Sequence, residues 1–335
     1  MKKGLVLLLI LSLYTAAGFC GGQEEVISEE ASVLSGSVMV YTSMSRSVIE
    51  VVKAGFEAEH PGTTIDVYRS GTSEVLAKFQ AEQTAGAIQA EILSVADMSI
   101  YRNLYAQDMI YGYRPKNLDK VPAMFQHEKG AYNEVRWSGM SIIYNTNLVT
   151  TPPRNWKDFL KPEFKGKIVM PDPQYSGTVV ATIGALVQAR GYGWKYFEDF
   201  TANGGKLAKS NGDVGQAVAS GEFALGMIVD RNAYSLKTEG SPVDYVYPAD
   251  GTVLLPQPIA ILKNCKNIPL AKAFLDYVYS EKAMKDMADK GYTPVLPGAA
   301  EVAVDFKSIK LIPTDWDYID QNRAEMMDRF LGLFR

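Results

Sequence analysis

The sequence has few of the residues that build metal sites and covalent crosslinks. Its 335 residues include only two cysteines and two histidines. His60 and His127 lie far apart along the chain and lack the short spacing of zinc ligands, so we expect no metal site. Cys265 would have no partner if Cys20 carries a lipid, so we also expect no disulfide bond.

Other absences limit the function. The formal net charge is −4, and there is no run of lysine and arginine that could neutralise a phosphate backbone, so we expect no nucleic-acid partner. The chain has no nucleophile-elbow, P-loop or dinucleotide-binding glycine motif, and no paired cysteine and histidine cluster. We therefore expect neither a bound cofactor nor an enzymatic activity.

The longest hydrophobic run is short and lies near the first residue. It extends from Leu5 to Leu13 and follows Lys2 and Lys3. Its length is roughly half of the ~20 apolar residues that a membrane-spanning helix needs. Small residues follow the run and end at Cys20, a pattern typical of a bacterial export signal with a lipidated cysteine.

This leader predicts where the protein works. We predict a signal peptide at residues 1–19, followed by the lipidated Cys20 and a flexible tether within residues 20–35. Phe19 is unusual before such a cysteine, so secretion without a lipid is the alternative. Either way we expect a protein in the periplasm or on the outer face of the cell membrane, attached to that membrane only through the lipid.

From Gly36 onward, short β-branched runs alternate with amphipathic segments. The alternation predicts strands at residues 37–42, 64–68, 90–96, 138–144, 168–170, 223–229, 243–247 and 253–262, and helices at residues 47–59, 73–83, 98–107, 178–189 and 213–220. Repeated β-α-β units of this length imply parallel sheets covered by helices on both faces, so the predicted fold class is α/β.

Two places in the sequence predict crossings between lobes. The strand at residues 138–144 follows Trp137 without a helix of its own, and the run at 253–262 is interrupted by Pro256 and Pro258, which fit an edge or crossing strand better than a central one. Two crossings predict a hinge with a cleft between two lobes. We predict the first lobe at residues 36–138 and 256–292, and the second at residues 139–255 and 293–335.

Turns rich in small hydroxyl residues lie where these strands end. Ligands of open α/β sheets bind beyond the carboxyl ends of strands, where helix N-termini present free N–H groups. Glycine lets the backbone approach a ligand and hydroxyls add donors, so the set suits an anion. Each turn taken alone could equally be an ordinary helix cap. The candidate residues in these turns are Thr42, Ser43, Ser70, Gly71, Thr72, Ser176, Gly177, Thr178 and, in a fourth turn, Asp250.

Charged and aromatic residues are candidates for the rest of the site. Asp230 ends a predicted strand and is followed by Arg231, Asn232 and Tyr234, and we expect Asp230 and Tyr234 to contact the ligand. Trp137 is a candidate lid or stacking surface. The alternatives are a helix cap for Asp230, a structural ion pair for Arg231 and core packing for Trp137.

The chain resembles a known family over residues 37–297. It is similar to the ferric-iron-type group of bacterial ABC-transporter solute-binding proteins, which are type II periplasmic binding proteins. The motifs that carry the likeness are Val40–Ser43, Gly71–Glu74, Trp156–Phe159, Lys165–Ile168, Asp172–Pro173 before Ser176–Thr178, and Gln216–Glu222. The resemblance implies two lobes, each a mostly parallel sheet flanked by helices, hinged by crossing strands. It also implies a permease partner and a monomer.

Within that group, the sequence resembles the members that bind phosphorylated or phosphonate solutes. Residues 229–233, 247–252 and 258–261 carry this likeness. Iron-binding members typically have two adjacent tyrosines where this chain has Asp230–Asn232. The resemblance implies that hydroxyls hold an anionic group while two carboxylates accept hydrogen bonds from the other end of the solute. The hydroxyl residues are Ser43, Ser70, Thr72, Ser176 and Thr178, and the carboxylates are Asp230 and Asp250.

We therefore expect the solute-binding component of an ABC importer. It would capture a small anionic, phosphorylated solute, such as a sugar phosphate or an aminophosphonate, in the cleft between its lobes. The closed form would deliver the solute to the permease without making or breaking a bond. Ferric iron is the alternative ligand. An exported transferase or hydrolase and a surface adhesin are the alternative classes of protein.

Overall fold

The structure, a computed structural model, describes residues 34–299 and 308–335. The predicted signal peptide, Cys20 and nearly all of the predicted tether lie outside the described residues. Leu34–Arg335 forms one compact unit. No helix among the described residues is long and apolar enough to cross a membrane.

The first third of the described chain alternates strands with helices, as predicted. Its elements are β1 (Gly36–Thr42), α1 (Arg46–Glu59), β2 (Thr63–Arg69), α2 (Thr72–Thr84), β3 (Ile92–Ser94), α3 (Met98–Ala106), β4 (Ile110–Tyr111), β5 (Asn133–Glu134) and β6 (Arg136–Trp137). In α1 the residues Val48, Ile49, Val52 and Phe56 form one apolar stripe, and all four are buried. Gly62, with a φ of 91°, makes the turn from α1 into β2.

The middle of the chain builds a second set of elements. They are β7 (Met140–Asn145), β8 (Ile168–Pro171), α4 (Gly177–Gln188), α5 (Gly193–Ala202), β9 (Lys206–Ala208), α6 (Asn211–Ala219), β10 (Leu225–Val229), α7 (Asp230–Thr238), β11 (Val243–Val246) and β12 (Thr252–Val253). The sequence prediction lacks α5, β9 and α7. The α4 helix is buried from Gly177 to Leu186, since its sequence is apolar on nearly every face.

The last part of the described chain returns to the first set. Its elements are β13 (Pro258–Leu262), α8 (Ile268–Val278), α9 (Glu281–Ala288), β14 (Thr293–Pro294), β15 (Leu311–Ile312) and α10 (Trp316–Gly332). The single strand predicted at residues 253–262 is wrong, because β12 and β13 are separate and pair with different partners. Pro258 is tolerated because it is the first residue of β13. Short 3₁₀ helices occupy Leu118–Lys120, Ala123–Phe125, Trp156–Leu160 and Pro162–Phe164.

Two mixed sheets form the centres of two lobes, which confirms the two-lobe α/β fold. The first sheet has the order β2-β1-β3-β13-β4, with β5 also paired to β13, and the second has the order β11-β7-β10-β8-β9. The prediction of mostly parallel sheets is confirmed, with one reversed strand in each sheet, β13 in the first and β7 in the second. β1 pairs parallel with β2 and β3, but β13 pairs antiparallel with β3, β4 and β5, and β7 pairs antiparallel with β10 and β11. The cause is that β7 and β13 enter their sheets from the crossing segments rather than through helical crossovers.

The two crossing segments lie side by side. Gly139 forms an antiparallel bridge with Leu254, and the backbone N–H of Leu255 donates to the carbonyl of Ser138 at 2.9 Å. Such a pair of short crossings is a suitable hinge. The lobe boundaries predicted from the sequence stay predictions.

The helix α10 belongs to the core of the second lobe but also contacts the first. Ile319, Met326 and Phe330 of α10 are buried in the same apolar cluster as α4. On the other side of α10, Arg323 pairs with Asp97 at 2.7 Å, immediately before α3. The C-terminal helix therefore joins both lobes on the outside of the molecule.

Candidate functional site

A cleft between the two sheets is the candidate site. Its volume is about 540 Å³, which lies within the range of small-molecule sites. It is lined from both lobes by the segments that follow β1, β2, β3, β8, β9 and β10, so it lies beyond the carboxyl ends of these strands. The residues that line it are Ser43, Ser45, Arg69, Ser70, Gly71, Thr72, Glu74, Ala96, Arg136, Tyr175, Ser176, Thr178, Lys209, Ser210, Asn211, Gly212, Asp213, Val229, Arg231, Asn232, Gln257 and Tyr292.

On the first-lobe side, the turn after β1 is held rigidly. The Thr42 hydroxyl donates to the Ser94 carbonyl at 2.8 Å and accepts from the Met44 N–H at 3.0 Å. Thr42 is fully buried and therefore shapes the turn, although it was predicted to contact the ligand. The Ser43 hydroxyl oxygen accepts from the Ala96 N–H at 3.0 Å and lines the cleft.

On the second-lobe side, a polar cluster lies at the start of α4. The hydroxyls of Ser176 and Thr178 are 2.8 Å apart, and the Asn211 amide donates to Ser176 at 3.2 Å. The Asn211 carbonyl oxygen accepts from the Val229 N–H at 3.0 Å, which fixes the side chain between α6 and β10. Sequence reasoning missed Asn211, since its position depends on a bond between separate elements.

The lobes meet closely at two glycines. A Cβ built on Gly177 would lie 2.7 Å from the Ala96 carbonyl oxygen of the first lobe, and one built on Gly71 would lie 3.3 Å from the Tyr175 carbonyl oxygen of the second. Gly177 is thus a packing residue between the lobes. Because backbone from both lobes approaches so closely here, the structure shows the cleft in a closed arrangement.

Cationic side chains dominate the cleft. Arg69, Arg136, Lys209 and Arg231 line it together with only two carboxylates, Glu74 and Asp213, which leaves two positive charges in excess. Glu74 accepts from Ser70 and Asp213 accepts from Ser210 at 2.7 Å. None of the four cations forms an ion pair with a carboxylate among the residues that the structure describes.

Sequence reasoning left these cations out of the site. Arg69 stands just past the strand predicted at residues 64–68 and directly before a turn with serine, and that position was a usable signal. Lys209 also precedes a serine, but the strand before it, β9, was not predicted. Arg136 gave no such signal because it precedes a crossing. Arg231 was noticed beside Asp230 but assigned an ion-pair alternative that the structure does not show.

Arg231 lies where its own charge is unfavourable. Burial lowers its pKa, and the nearby charges of Arg136 and Arg69 lower it further, while Tyr292 and Asp230 oppose the shift. Its guanidinium donates to the Ser47 hydroxyl at 3.0 Å and to the Lys290 carbonyl at 3.1 Å, both in the first lobe. Arg231 therefore crosses the cleft from α7.

Asp230 does not line the cleft. Its carboxylate accepts from the Ser138 hydroxyl at 2.6 Å, from the Gly139 N–H at 2.8 Å and from the Tyr247 hydroxyl at 2.9 Å. These bonds attach α7 to the first crossing segment. The structure thus gives Asp230 a hinge contact in place of the ligand contact predicted for it.

Three other predicted residues also lie away from the cleft lining. Trp137 is 4% exposed and packs in the first-lobe core, which agrees with the alternative of core packing. Asp250 accepts from the Trp156 N–H at 3.3 Å and from the Tyr192 hydroxyl within the second lobe. Tyr234 projects from α7 at the surface, next to Gly291. The other predicted residues, Ser43, Ser70, Gly71, Thr72, Ser176 and Thr178, come together along the cleft.

A second cavity differs from the cleft in its charges. It has a volume of about 660 Å³ and lies between α2, α3 and α10. Its charged residues neutralise one another, since Arg323 pairs with Asp97 at 2.7 Å and Arg102 with Asp320 at 3.3 Å. The interlobe cleft has no such neutralisation and is the better candidate for binding a charged ligand. No cluster of three or more His, Cys, Asp and Glu side chains that could hold a metal occurs in the described parts of the chain.

Comparison with known proteins identifies a family and several relatives. Residues 88–322 match the profile of the family described as "Bacterial extracellular solute-binding protein". The chain is 25% identical to the Probable ABC transporter periplasmic-binding protein y4fP of Sinorhizobium fredii, over 78% of this chain and 77% of that one. It is 26% identical to the Phosphoglycerate transport regulatory protein PgtC of Salmonella typhimurium, over 49% and 43% of the two chains.

A solved structure shows the same fold. The periplasmic binding protein AfuA from Actinobacillus pleuropneumoniae, with exogenous fructose-6-phosphate bound, superposes with a TM-score of 0.78. The alignment covers 89% of this chain and 98% of that one, at 22% identity. At an identity this low, the superposition shows only that the two proteins share a fold.

Proposed function

This chain belongs to the bacterial extracellular solute-binding proteins, and we propose that it captures a small phosphorylated anion in the cleft between its lobes. As the solute-binding component of an ABC importer, it would hand this solute to a permease of the cytoplasmic membrane. The solute leaves chemically unchanged, since the protein's task is capture and release.

The observation that carries the proposal is the uncompensated positive charge of the cleft. Two of its four cations have no carboxylate to offset them, and a phosphate monoester carries about −1.5 to −2 charges at pH 7. Helix N-termini supply further donors, because Gly71 and Thr72 begin α2 while Ser176 and Gly177 begin α4. A dianion therefore fits both the charge and the hydrogen-bonding groups.

The same charges couple binding to closure. Arg231 of the second lobe approaches Arg69 and Arg136 of the first, and each of these lowers its pKa, so closing the empty cleft brings like charges together. An anion between them removes this repulsion. Because a ligand shifts a conformational equilibrium by its differential affinity, a phosphorylated solute favours the closed form that a permease would recognise.

The names of one relative and one fold neighbour contain phosphorylated compounds. One is named for phosphoglycerate transport, and one fold neighbour holds fructose-6-phosphate, and both compounds are phosphate monoesters. A third is named as an ABC transporter periplasmic-binding protein. These names support the ligand class and the transporter partner proposed for this chain.

We also propose that the mature protein is a monomer that carries its only membrane attachment on Cys20. This would place it in the periplasm or on the outer face of the membrane. The membrane attachment rests on the export pattern before Cys20 and on the polar residues that follow it. The monomer rests on the precedent of the family.

A thermal-shift screen of the purified protein tests the ligand class. The compounds are hexose phosphates, 2-aminoethylphosphonate, inorganic phosphate, polyamines, thiamine and ferric citrate. A solute at 100 times its Kd stabilises the folded state by about 2.7 kcal/mol, which raises Tm by several degrees. We expect a rise with phosphorylated compounds that is lost in Arg69→Gln and kept in Arg329→Gln, whose side chain lies on α10 near Glu198.

Other outcomes have distinct meanings. A response to ferric citrate alone would contradict the proposal and favour ferric iron, the alternative ligand that the resemblance left open. A response to polyamines alone would contradict an anion site. Turnover of a responding compound after long incubation would show an enzyme in place of a carrier.

A further inference from the structure

One end of the cleft contains two guanidinium groups on a single aromatic ring. The Cζ atom of Arg136 lies 4.4 Å from the centre of the Tyr292 ring, and the Cζ atom of Arg231 lies 5.3 Å from the same centre. The Tyr292 hydroxyl accepts from the Ser45 N–H at 3.1 Å, which fixes the ring. Two cations, one from each lobe, are thus held at one place.

Arg136 is buried with an unused hydrogen-bond donor. Only 6% of its surface is exposed, yet its Nε–H has no hydrogen-bond partner in the described part of the chain. It nevertheless lines the cleft. A buried charged donor without an acceptor is unfavourable, so the site is complete only when another molecule supplies the acceptor.

Two carboxyl groups near this pair offset its charge only in part. Glu134 accepts from the Gln257 N–H, and burial raises its pKa to about 8 against the lowering effects of that bond and of Arg136. It is therefore mostly uncharged at neutral pH. Asp230 offsets part of the Arg231 charge, but its oxygens already accept bonds from Ser138, Gly139 and Tyr247 at the hinge.

Another part of the cleft, the hydroxyl end, has different chemistry. Hydroxyls, an amide and helix N-termini meet there around Ser43, Ser176 and Asn211. Ser43 contacts this end, whereas Ser45 contacts Tyr292 at the arginine end. Two residues of extended chain span at most about 7 Å, so the backbones of Ser43 and Ser45 lie close enough for a short carbon chain to bridge them.

We propose that the cleft selects a ligand with two anionic groups, a phosphate at the hydroxyl end and a carboxylate on the Arg136 and Arg231 pair. This inference rests on the proposed function and narrows its ligand to a phosphorylated short-chain carboxylic acid. A guanidinium binds a carboxylate through paired, charge-assisted hydrogen bonds. A sugar phosphate would place neutral hydroxyls there and leave the two arginines without an anionic acceptor in the cleft.

Calorimetric titration with a matched ligand pair tests the inference. 3-Phosphoglycerate and glycerol 3-phosphate share a three-carbon phosphate ester and differ in a carboxylate against a hydroxymethyl group. We expect the purified protein to bind 3-phosphoglycerate roughly tenfold or more tightly, the effect of a hydrogen bond to a charged group. In Arg231→Gln this preference should fall below about threefold while glycerol 3-phosphate affinity does not fall, since its phosphate lies at the hydroxyl end.

Three further variants control the result. Arg136→Gln should also lose the preference for 3-phosphoglycerate. If this buried variant does not fold, Arg231→Gln alone tests the arginine pair, because Arg231 is only half-buried. Arg231→Lys keeps the charge without the paired donors and should restore part of the preference. Lys237→Gln removes a charge from the same helix at its ion pair with Asp244, outside the cleft, and should leave both affinities unchanged.

The possible failures separate the two proposals. Equal affinity for the two compounds, or binding of glycerol 3-phosphate or fructose 6-phosphate without 3-phosphoglycerate, overturns the inference but leaves the proposed function intact. A preference for 3-phosphoglycerate that survives in both glutamine variants overturns the assignment to the arginine pair. Failure of every phosphorylated compound to bind overturns both proposals.

Discussion

Gly177→Ala tests whether ligand capture needs the close approach of the lobes. The added methyl group would lie 2.7 Å from the Ala96 carbonyl oxygen and 2.9 Å from the Thr72 methyl group, both in the first lobe. The shorter distance is about 0.7 Å less than the 3.4 Å of an ordinary contact. Since a backbone oxygen cannot rotate away, the lobes themselves must separate.

The expected magnitude follows from the cost of overpacking. Added methyl groups in tightly packed positions cost about 1–3 kcal/mol. Because that cost falls on the closed form alone, the apparent Kd rises by the same free energy, roughly 5- to 150-fold. The folded lobes themselves should not be weakened. Alanine in place of glycine at a compatible helical position stabilises by about 0.4–1 kcal/mol.

The assay combines titration calorimetry with small-angle scattering. The titrant is the phosphorylated compound that gives the largest thermal shift. We expect weaker binding, an unchanged or slightly higher Tm without ligand, and a smaller decrease in radius of gyration on saturation. Gly212→Ala is the matched control, because Gly212 also lines the cleft within a helix but its Cβ would meet only the Ser210 hydroxyl at 3.5 Å.

One result would refute the reasoning. If Gly177→Ala binds with the wild-type Kd and contracts as much as the wild type, the close contact at Ala96 is not part of the ligand-bound state. An equal loss of affinity in Gly212→Ala would likewise show that the effect is not specific to the contact at Ala96.

Other predictions concern the hinge, the buried acid and the leader. Asp230→Asn should lower the free energy of unfolding by about 1.5–3 kcal/mol, because hydrogen bonds to a charged group are lost at the hinge; unchanged urea stability would contradict the hinge contact. Burial raises the pKa of Glu134 from 4.5 to about 8, so the folded chain keeps a proton that the unfolded chain releases, and stability should fall as pH rises from about 4.5 to 8. Glu134→Gln should flatten that decline in urea titrations across the same pH range, and an unchanged slope would show that Glu134 is not its source. Cys20→Ala should abolish incorporation of labelled palmitate and release the protein from membranes; continued labelling would place the lipid elsewhere.

Local pattern was enough to predict most elements. The strands and helices from Gly36 to Ala106 lie within two residues of their predicted bounds. Their apolar side chains repeat every 2 residues in strands and every 3.6 residues in helices, so the pattern can be recognised from neighbouring residues alone. Strand direction was not predictable in the same way. β13 reads as one strand with β12, and only its antiparallel partners β3, β4 and β5 reveal its place.

The candidate site was only partly visible in the sequence. Hydroxyl turns such as Ser176–Thr178 could be found because their composition is local. The cations could not be grouped, since Arg136 and Arg231 are distant in sequence and meet only on the Tyr292 ring. The prediction that Asp230 contacts the ligand was wrong because local sequence does not show its distant hydrogen-bond partners. Its place at a strand end favoured the cleft, but bonds to Ser138 and Gly139 turn its carboxylate to the hinge.

The helix α10 offers a way to observe the protein at work. It is buried in the second lobe through Ile319 and Phe330, yet its Arg323 pairs with Asp97 beside α3 of the first lobe. Any opening of the cleft must change the distance between α3 and α10. A donor and acceptor dye placed on the exposed faces of these two helices would convert solute capture into an optical signal, without altering a single residue of the cleft. Labelled on α3 and α10, the protein would therefore act as a fluorescent sensor for its own ligand.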